Sequence, residues 1–158
     1  PAPLAPISAM IIVILLGATV FGYFFALTQV TQNLVSWVGG LDASPWLILI
    51  CILAGYIVLG AFLDQIAILV LTVPVVVPLM TSLDFDLIWF GVLVIVTAEL
   101  GMVTPPVGLN CFIVARYSEQ PLGQVFRGVA PHFIAHLIAI ALLVLIPQIT
   151  LVFPSMMK

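Results

Sequence analysis

Apolar residues run almost without pause along this chain, and the few polar ones gather in groups that divide it. Pro1–Pro6 is a proline-rich lead-in, expected to be extended. Ser8–Leu27 carries no charge and, at about 1.5 Å per residue, is long enough to cross a hydrocarbon core. From Thr28 to Pro45 the pattern mixes, with Gln29, Gln32, Asn33 and Asp42 set among Leu34, Trp37, Val38 and Leu41. A short interfacial helix, a turn at Gly39-Gly40 and headgroup-level anchors at Trp37 and Trp46 fit this spacing. An ordinary connecting loop fits it equally.

Trp46–Leu63 is the next apolar run, in which Gly55 and Gly60 permit close helix approach or a break. Asp64-Gln65 interrupts it before Ile66–Met80, which contains Pro74 and Pro78 and is short for a full span. A carboxylate in that place is compatible with a surface loop, a re-entrant hairpin or a broken helix holding Asp64 in the interior. At membrane depth an ionisable side chain is costly and therefore a functional candidate. Thr81–Asp86 is a polar turn carrying Asp84 and Asp86. Leu87–Ala98 then runs into Glu99 and Thr104-Pro105-Pro106, and the apolar pattern resumes over Val107–Ala115. Together Leu87–Ala115 suffices for one interrupted span or for the two legs of a hairpin. Arg116–Gly128 is the most polar segment and is expected outside the core; Arg116 and Arg127 favour a cytoplasmic location. Val129–Phe153 reads as a last span, with Pro131, His132 and His136 at its start and Pro147 near its end.

Gly101–Asn110 is the least helical stretch of an otherwise helical pattern. Pro105 and Pro106 donate no backbone N–H, and each clashes with the preceding helical turn. Pro106 also drives Pro105 from the helical region, as Pro105 does Thr104. Two short helices meeting at an opened loop are therefore expected. In a bilayer such a break is tolerated only where protein or a water-filled cavity satisfies the freed carbonyls. Discontinuous helices of this kind point to transporter binding sites, because their ends expose unpaired carbonyls and N–H groups. Carbonyls joined by a Thr hydroxyl and an Asn side-chain oxygen can replace the hydration shell of Na⁺.

Composition fixes the class. Hydrophobic residues make up 65% and charged residues 6%, with a mean hydropathy of +1.42. An all-α integral membrane protein follows. A net charge of −3 with three basic residues excludes a basic nucleic-acid-binding face. Cys51 and Cys111 lie in apolar runs and form neither a disulfide framework nor a metal cluster. No basic segment with a cleavage site precedes the first apolar run, which is thus read as a membrane helix and not a signal peptide. A chain opening on Pro also suggests a fragment or a processed piece. His132 and His136 share a helix face; a metal pair there lacks a third ligand, so interfacial or interhelical hydrogen bonding is preferred. An intramembrane enzyme would have to use Asp64, Glu99, His132 or His136. Those groups have no catalytic spacing, and no Ser or Cys lies in a nucleophile motif. No enzyme, transition metal or organic cofactor is expected. A passive channel can also be lined by broken helices, though a Thr-Pro-Pro-Val-Gly clamp suits occlusion better.

The string from Trp89 to Phe112, with Glu99-Leu-Gly-Met-Val-Thr-Pro-Pro-Val-Gly-Leu-Asn110 at its centre, resembles the C-terminal half of the large membrane subunit of tripartite ATP-independent periplasmic (TRAP) transporters. Gly60-Ala-Phe-Leu-Asp64, Leu71-Thr-Val-Pro74 and Pro78-Leu79 resemble the same family upstream. Val125-Phe-Arg-Gly-Val-Ala-Pro131 and Ile146-Pro147 do so downstream, so that the likeness covers roughly residues 8 to 153. It implies a sodium-coupled secondary transporter of the bacterial inner membrane, built from two inverted repeats that each hold a re-entrant hairpin and a broken helix. An elevator-like motion, Na⁺ as the coupling ion, and small organic anions such as dicarboxylates or sugar acids are implied with it. The implied partners are the N-terminal half of the same subunit, a small membrane subunit (DctQ/SiaQ type), a periplasmic substrate-binding protein and the lipid bilayer, with no nucleic acid.

Carried over residue by residue, the resemblance places Gly60 and Asp64 at one break and Thr104, Pro105, Pro106, Gly108 and Asn110 at the other, as sodium- or substrate-binding positions. Glu99 falls where the family often has an acid. An acid would repel an anionic substrate, so it suits cation attraction or helix packing. Thr97 stands where an Asn is common, and both are possible supporting residues. Leu63 replaces a Met and Gln148 an acid. The organisation expected is a first helix and interfacial connection over 1–45, a transport region over 46–115, a polar loop over 116–128 and a last helix over 129–158.

Overall fold

Eight helices form the regular structure of residues 4–40, 43–105 and 107–156, which the computed structural model describes. They are α1 (Leu4–Thr28), α2 (Val30–Gly39), α3 (Pro45–Phe62), α4 (Gln65–Ser82), α5 (Leu87–Met102), α6 (Leu109–Ser118), α7 (Leu122–Leu145) and α8 (Gln148–Met156). The all-α expectation holds. α3, α4 and α7 are each long and apolar enough to cross a membrane. Ile12–Thr28 of α1 meets that criterion together with α2, the two bent by 59°, and α5 is a shorter apolar helix.

The expected extended lead-in is helical from Leu4 onward. Pro6 sits in the first turn, where a missing N–H has no intrahelical partner to lose. Within Thr28–Pro45 a helix, not a plain connecting loop, covers Val30–Gly39. Gln29, in the left-handed region at φ 53°, breaks α1 from α2, and the Gly40 N–H closes α2 on the Ser36 and Trp37 carbonyls. Asp42 lies outside the described residues.

Two aspartates start helices in the same way. Asp64 Oδ1 accepts from Ile66 N at 2.9 Å and Ala67 N at 3.1 Å. Asp86 Oδ1 accepts from Ile88 N at 2.8 Å and Trp89 N at 3.0 Å. Each satisfies donors that the first helical turn leaves open, an arrangement worth about 1 kcal/mol.

The prolines divide by whether their helix continues. α4 runs unbroken through Pro74 and Pro78, so Ile66–Met80 belongs to a full-length span instead of the short piece expected. Pro78 cannot bond the Pro74 carbonyl; the Thr31 hydroxyl of α2 reaches it at 3.5 Å, a long contact. Pro147 ends α7, which splits the single last span expected over Val129–Phe153 into α7 and α8. The Leu143 carbonyl that Pro147 leaves unpaired accepts from Trp89 Nε1 at 2.7 Å. The polar segment 116–128 is mostly helical: α6 runs through Ser118, Glu119 closes it at φ 55°, and α7 begins at Leu122. Polar side chains there mark exposed faces, not a lack of helix.

Direction follows from the contacts. The Trp46 ring packs edge-on against Phe85 and Trp89, with centroids 5.4 and 6.0 Å apart, joining the starts of α3 and α5. Gly60 meets Gly101 near their ends, so the two helices run parallel. α4, which joins them in the chain, runs back the other way, and Leu83 just beyond its end lines one cavity with Pro45 and Trp46. α7 is antiparallel to α5, from Phe126 beside Gly108 to Leu143 beside Trp89. α5 is the central helix, burying Trp89, Phe90, Leu93, Val94, Thr97, Ala98, Leu100 and Gly101. Tyr56 of α3 and Thr72 of α4 share a 2.6 Å hydroxyl–hydroxyl bond that ties the hairpin together.

Candidate functional site

The ends of α3 and α5 cross at two glycines. A methyl group on Gly60 would stand 2.7 Å from the Ala98 carbonyl oxygen and 2.7 Å from the Gly101 Cα. One on Gly101 would stand 2.6 Å from the Gly60 Cα and 2.7 Å from the Ile57 carbonyl oxygen. Only residues without Cβ permit such backbone approach. The consequence is positional: the break after Phe62 and the break after Met102 adjoin. Gly55 has no share in this, since it is exposed and a methyl there meets nothing within 4 Å.

At the first break Leu63 and Asp64 are extended, and the chain reverses into the α3–α4 hairpin. Asp64 is half-buried and spends Oδ1 on the α4 N-terminus. The last carbonyls of α3 have no intrahelical partner.

The second break spans Val103–Gly108 and, as expected of the Thr-Pro-Pro stretch, separates two helices. α6 packs chiefly on α7, so α5 and α6 are not the paired legs of a hairpin. Thr104 N donates to Gly101 O at 2.9 Å, and Thr104 Oγ1 donates to Leu100 O at 2.7 Å. That commits the hydroxyl proton and leaves the oxygen lone pairs open. Gly108 is buried at φ 56° and starts α6 without a side-chain cap. A methyl on it would stand 2.9 Å from Phe126 Cε1 and 3.3 Å from the Thr104 carbonyl oxygen. Pro105 is exposed and shares a cavity of about 160 Å³ with Val103, Phe126, Val129, Ala130 and Phe133. Pro106 lies outside the described residues.

The structure thus brings Gly60 to the end of α5 and Thr104 close to Gly108, with Asp64 four residues beyond the glycine crossing. Asn110 is exposed on the first turn of α6, and Glu99 is exposed on α5 just before the glycine crossing. Thr97 is fully buried, and its hydroxyl has no hydrogen-bond partner among the described residues. Ala98, Gly101 and Phe126 complete the site. Gly101 opens the stretch singled out in the sequence and Phe126 lies in a segment that resembles the family, but nothing there pairs Gly101 with Gly60 or Phe126 with Gly108.

Charge is divided at the breaks. The C-terminal ends of α3 and α5 carry partial negative charge and carbonyl oxygens, and the Asp64 carboxylate follows the end of α3 at the start of α4. The N-terminal end of α6 carries partial positive charge and free N–H groups with no side chain closing it. A hard cation and an anion can each find complementary groups there. Among the described residues no three His, Cys, Asp or Glu side chains converge as metal ligands. The His132 and His136 rings lie 4.4 Å apart without joining such a group. Cys51, exposed, and Cys111, buried, are both free thiols.

The described residues thus form an all-α, multi-pass membrane architecture in which two helix breaks adjoin. The chain belongs to the tripartite ATP-independent periplasmic transporter family, DctM component, whose pattern it matches over residues 4–149. It is 30% identical over 149 residues to the C4-dicarboxylate TRAP transporter large permease protein DctM of Pseudomonas aeruginosa, covering 94% of this chain and 35% of that protein. It is 32% identical over 149 residues to the sialic acid TRAP transporter large permease protein SiaM of Vibrio cholerae, with the same 94% and 35% coverage. Identity to the sialic acid TRAP transporter permease protein SiaT of Haemophilus influenzae is 30% over 151 residues, 96% of this chain and 24% of that protein. The chain spans about a third of the length of the large permease proteins it matches.

Proposed function

We propose that the chain is the C-terminal repeat of the large permease subunit of a sodium-coupled secondary transporter for small organic anions. The observation that carries this reading is the Gly60–Gly101 crossing, which makes two helix breaks adjoin. Na⁺ is the coupling ion, taken up by helix-end carbonyls, the Thr104 hydroxyl oxygen and the Asn110 side chain. Asp64 caps α4 and adds negative potential; Gly60 and Gly108 let backbone approach closely. Pro105, which has no backbone N–H to give, keeps the loop from closing into helix. Thr97 and Glu99 support the site, Glu99 by attracting cations. The open N-terminus of α6 favours a carboxylate substrate, in keeping with relatives named for C4-dicarboxylates and sialic acid. The rest of the large subunit supplies the other half of the site, and an elevator-type movement carries it across the bacterial inner membrane. A small membrane subunit of the DctQ/SiaQ type and a periplasmic binding protein complete the system.

The test is uptake of labelled dicarboxylate and sialic acid into proteoliposomes holding the complete membrane transporter, with its binding protein outside and an imposed Na⁺ gradient. Accumulation that disappears when the gradient is collapsed is the expected result. Equal downhill flux without Na⁺ or binding protein would establish a passive channel instead.

A further inference from the structure

We infer that Phe126 of α7 is a positioning residue for the second helix break, an inference that rests on the reading of that break as an ion and substrate site. Gly108 is the N-cap of α6 and takes a left-handed conformation that a Cβ would strain. Two groups close on it from different directions. The Thr104 carbonyl oxygen comes from the loop itself, and the Phe126 ring comes from another helix; a methyl on Gly108 would be 3.3 and 2.9 Å from them. The ring therefore fills the side of Gly108 on which a Cβ would stand, and from there braces the turn that starts α6. Its other neighbours, Val103, Pro105, Val129, Ala130 and Phe133, surround a cavity of about 160 Å³.

That cavity decides what truncation does. In Phe126→Ala the lost ring volume joins space that is already empty, so little remains to collapse into it. Gly108 and the α6 N–H groups lose their support, while the Gly60–Gly101 crossing and the α3–α4 hairpin are untouched. Phe126 touches neither ion nor substrate; it acts through Gly108.

The test uses the complete transporter in proteoliposomes, with uptake followed against Na⁺ for the wild type, Phe126→Ala, Phe126→Leu and Thr104→Val. Phe126→Ala is expected to raise the Na⁺ concentration for half-maximal uptake roughly fivefold, the scale seen for residues that act without touching ligand. The maximal rate should change far less, and Phe126→Leu, which keeps bulk against Gly108, should recover most of the loss. A raised half-saturation in Thr104→Val with an unchanged one in Phe126→Ala overturns the role of Phe126 alone. Unchanged values in both remove the break from the site and the inference with it. A fall in maximal rate at constant half-saturation assigns Phe126 a merely structural role and also overturns the proposal. Should Phe126→Ala fail to assemble, Phe126→Val replaces it: a rise in half-saturation supports the proposal, and no rise refutes it.

Discussion

Gly60 and Gly101 touch through their backbones, each standing where a methyl group on the other would have to go. Because backbone atoms cannot swing aside as a side-chain tip can, an added methyl must push α3 and α5 apart. Gly60→Ala and Gly101→Ala are each expected to destabilise the fold by about 1–3 kcal/mol. The double variant should lose less than the sum, since helices parted by the first methyl leave room for the second. Thermal unfolding of the three variants in detergent measures this. Strictly additive losses would mean that the two glycines do not share one contact.

Glycines elsewhere make the contrast. Gly108→Ala meets both a positive φ and the Phe126 ring, and should cost at least the roughly 1–2 kcal/mol of the left-handed conformation. Gly55→Ala lies in an open part of α3 and should stabilise by about 0.5–1 kcal/mol through helix propensity. Opposite shifts in melting temperature are the expected outcome, and a loss on Gly55→Ala would show an unseen packing role.

Much of the helical outline was legible because polarity, proline and capping residues act locally. Asp64 and Asp86 sit where the apolar pattern stops and restarts, and each proves to be a helix N-cap. Proline was the ambiguous letter. The pattern sets Pro74 and Pro78 in a piece short for a full span, and Pro147 near the end of a single last span. The outcome is the reverse, with α4 continuous through both of its prolines and α7 ending before Pro147. The partners of the freed carbonyls, Thr31 for Pro74 and Trp89 for Leu143, lie 43 and 54 residues away in the chain. Local pattern cannot reveal such partners. For the same reason the breaks at Asp64 and Thr104 were visible singly, while their adjacency depends on a glycine crossing.

The Trp89 indole offers a direct test of that carbonyl account. Trp89→Phe keeps an aromatic ring beside Trp46 and Phe85 but removes the donor to Leu143 O. Pro147 supplies no replacement N–H, so the part-buried carbonyl is left unpaired at a cost of up to about 1–3 kcal/mol. Pro147→Ala in the same background should recover part of this by restoring the helical donor. No recovery in the melting temperature would indicate that ring packing, not the hydrogen bond, accounts for the loss.

Asp64 can be separated into a cap and a charge. As a cap, its Oδ1 accepts from Ile66 N and Ala67 N, a task that an Asn side-chain oxygen performs nearly as well. As a charge just beyond the end of α3, it deepens a negative potential that Asn would not supply. Asp64→Asn should therefore keep the melting temperature close to that of the wild type, whereas Asp64→Ala should lose about 1 kcal/mol of stability. If the carboxylate also serves the cation, both variants need more Na⁺ for half-maximal uptake, by a similar factor. Asp64→Asn with normal Na⁺ dependence would confine the residue to holding the first turn of α4, and the ion site would rest on Thr104, Asn110 and the helix-end carbonyls.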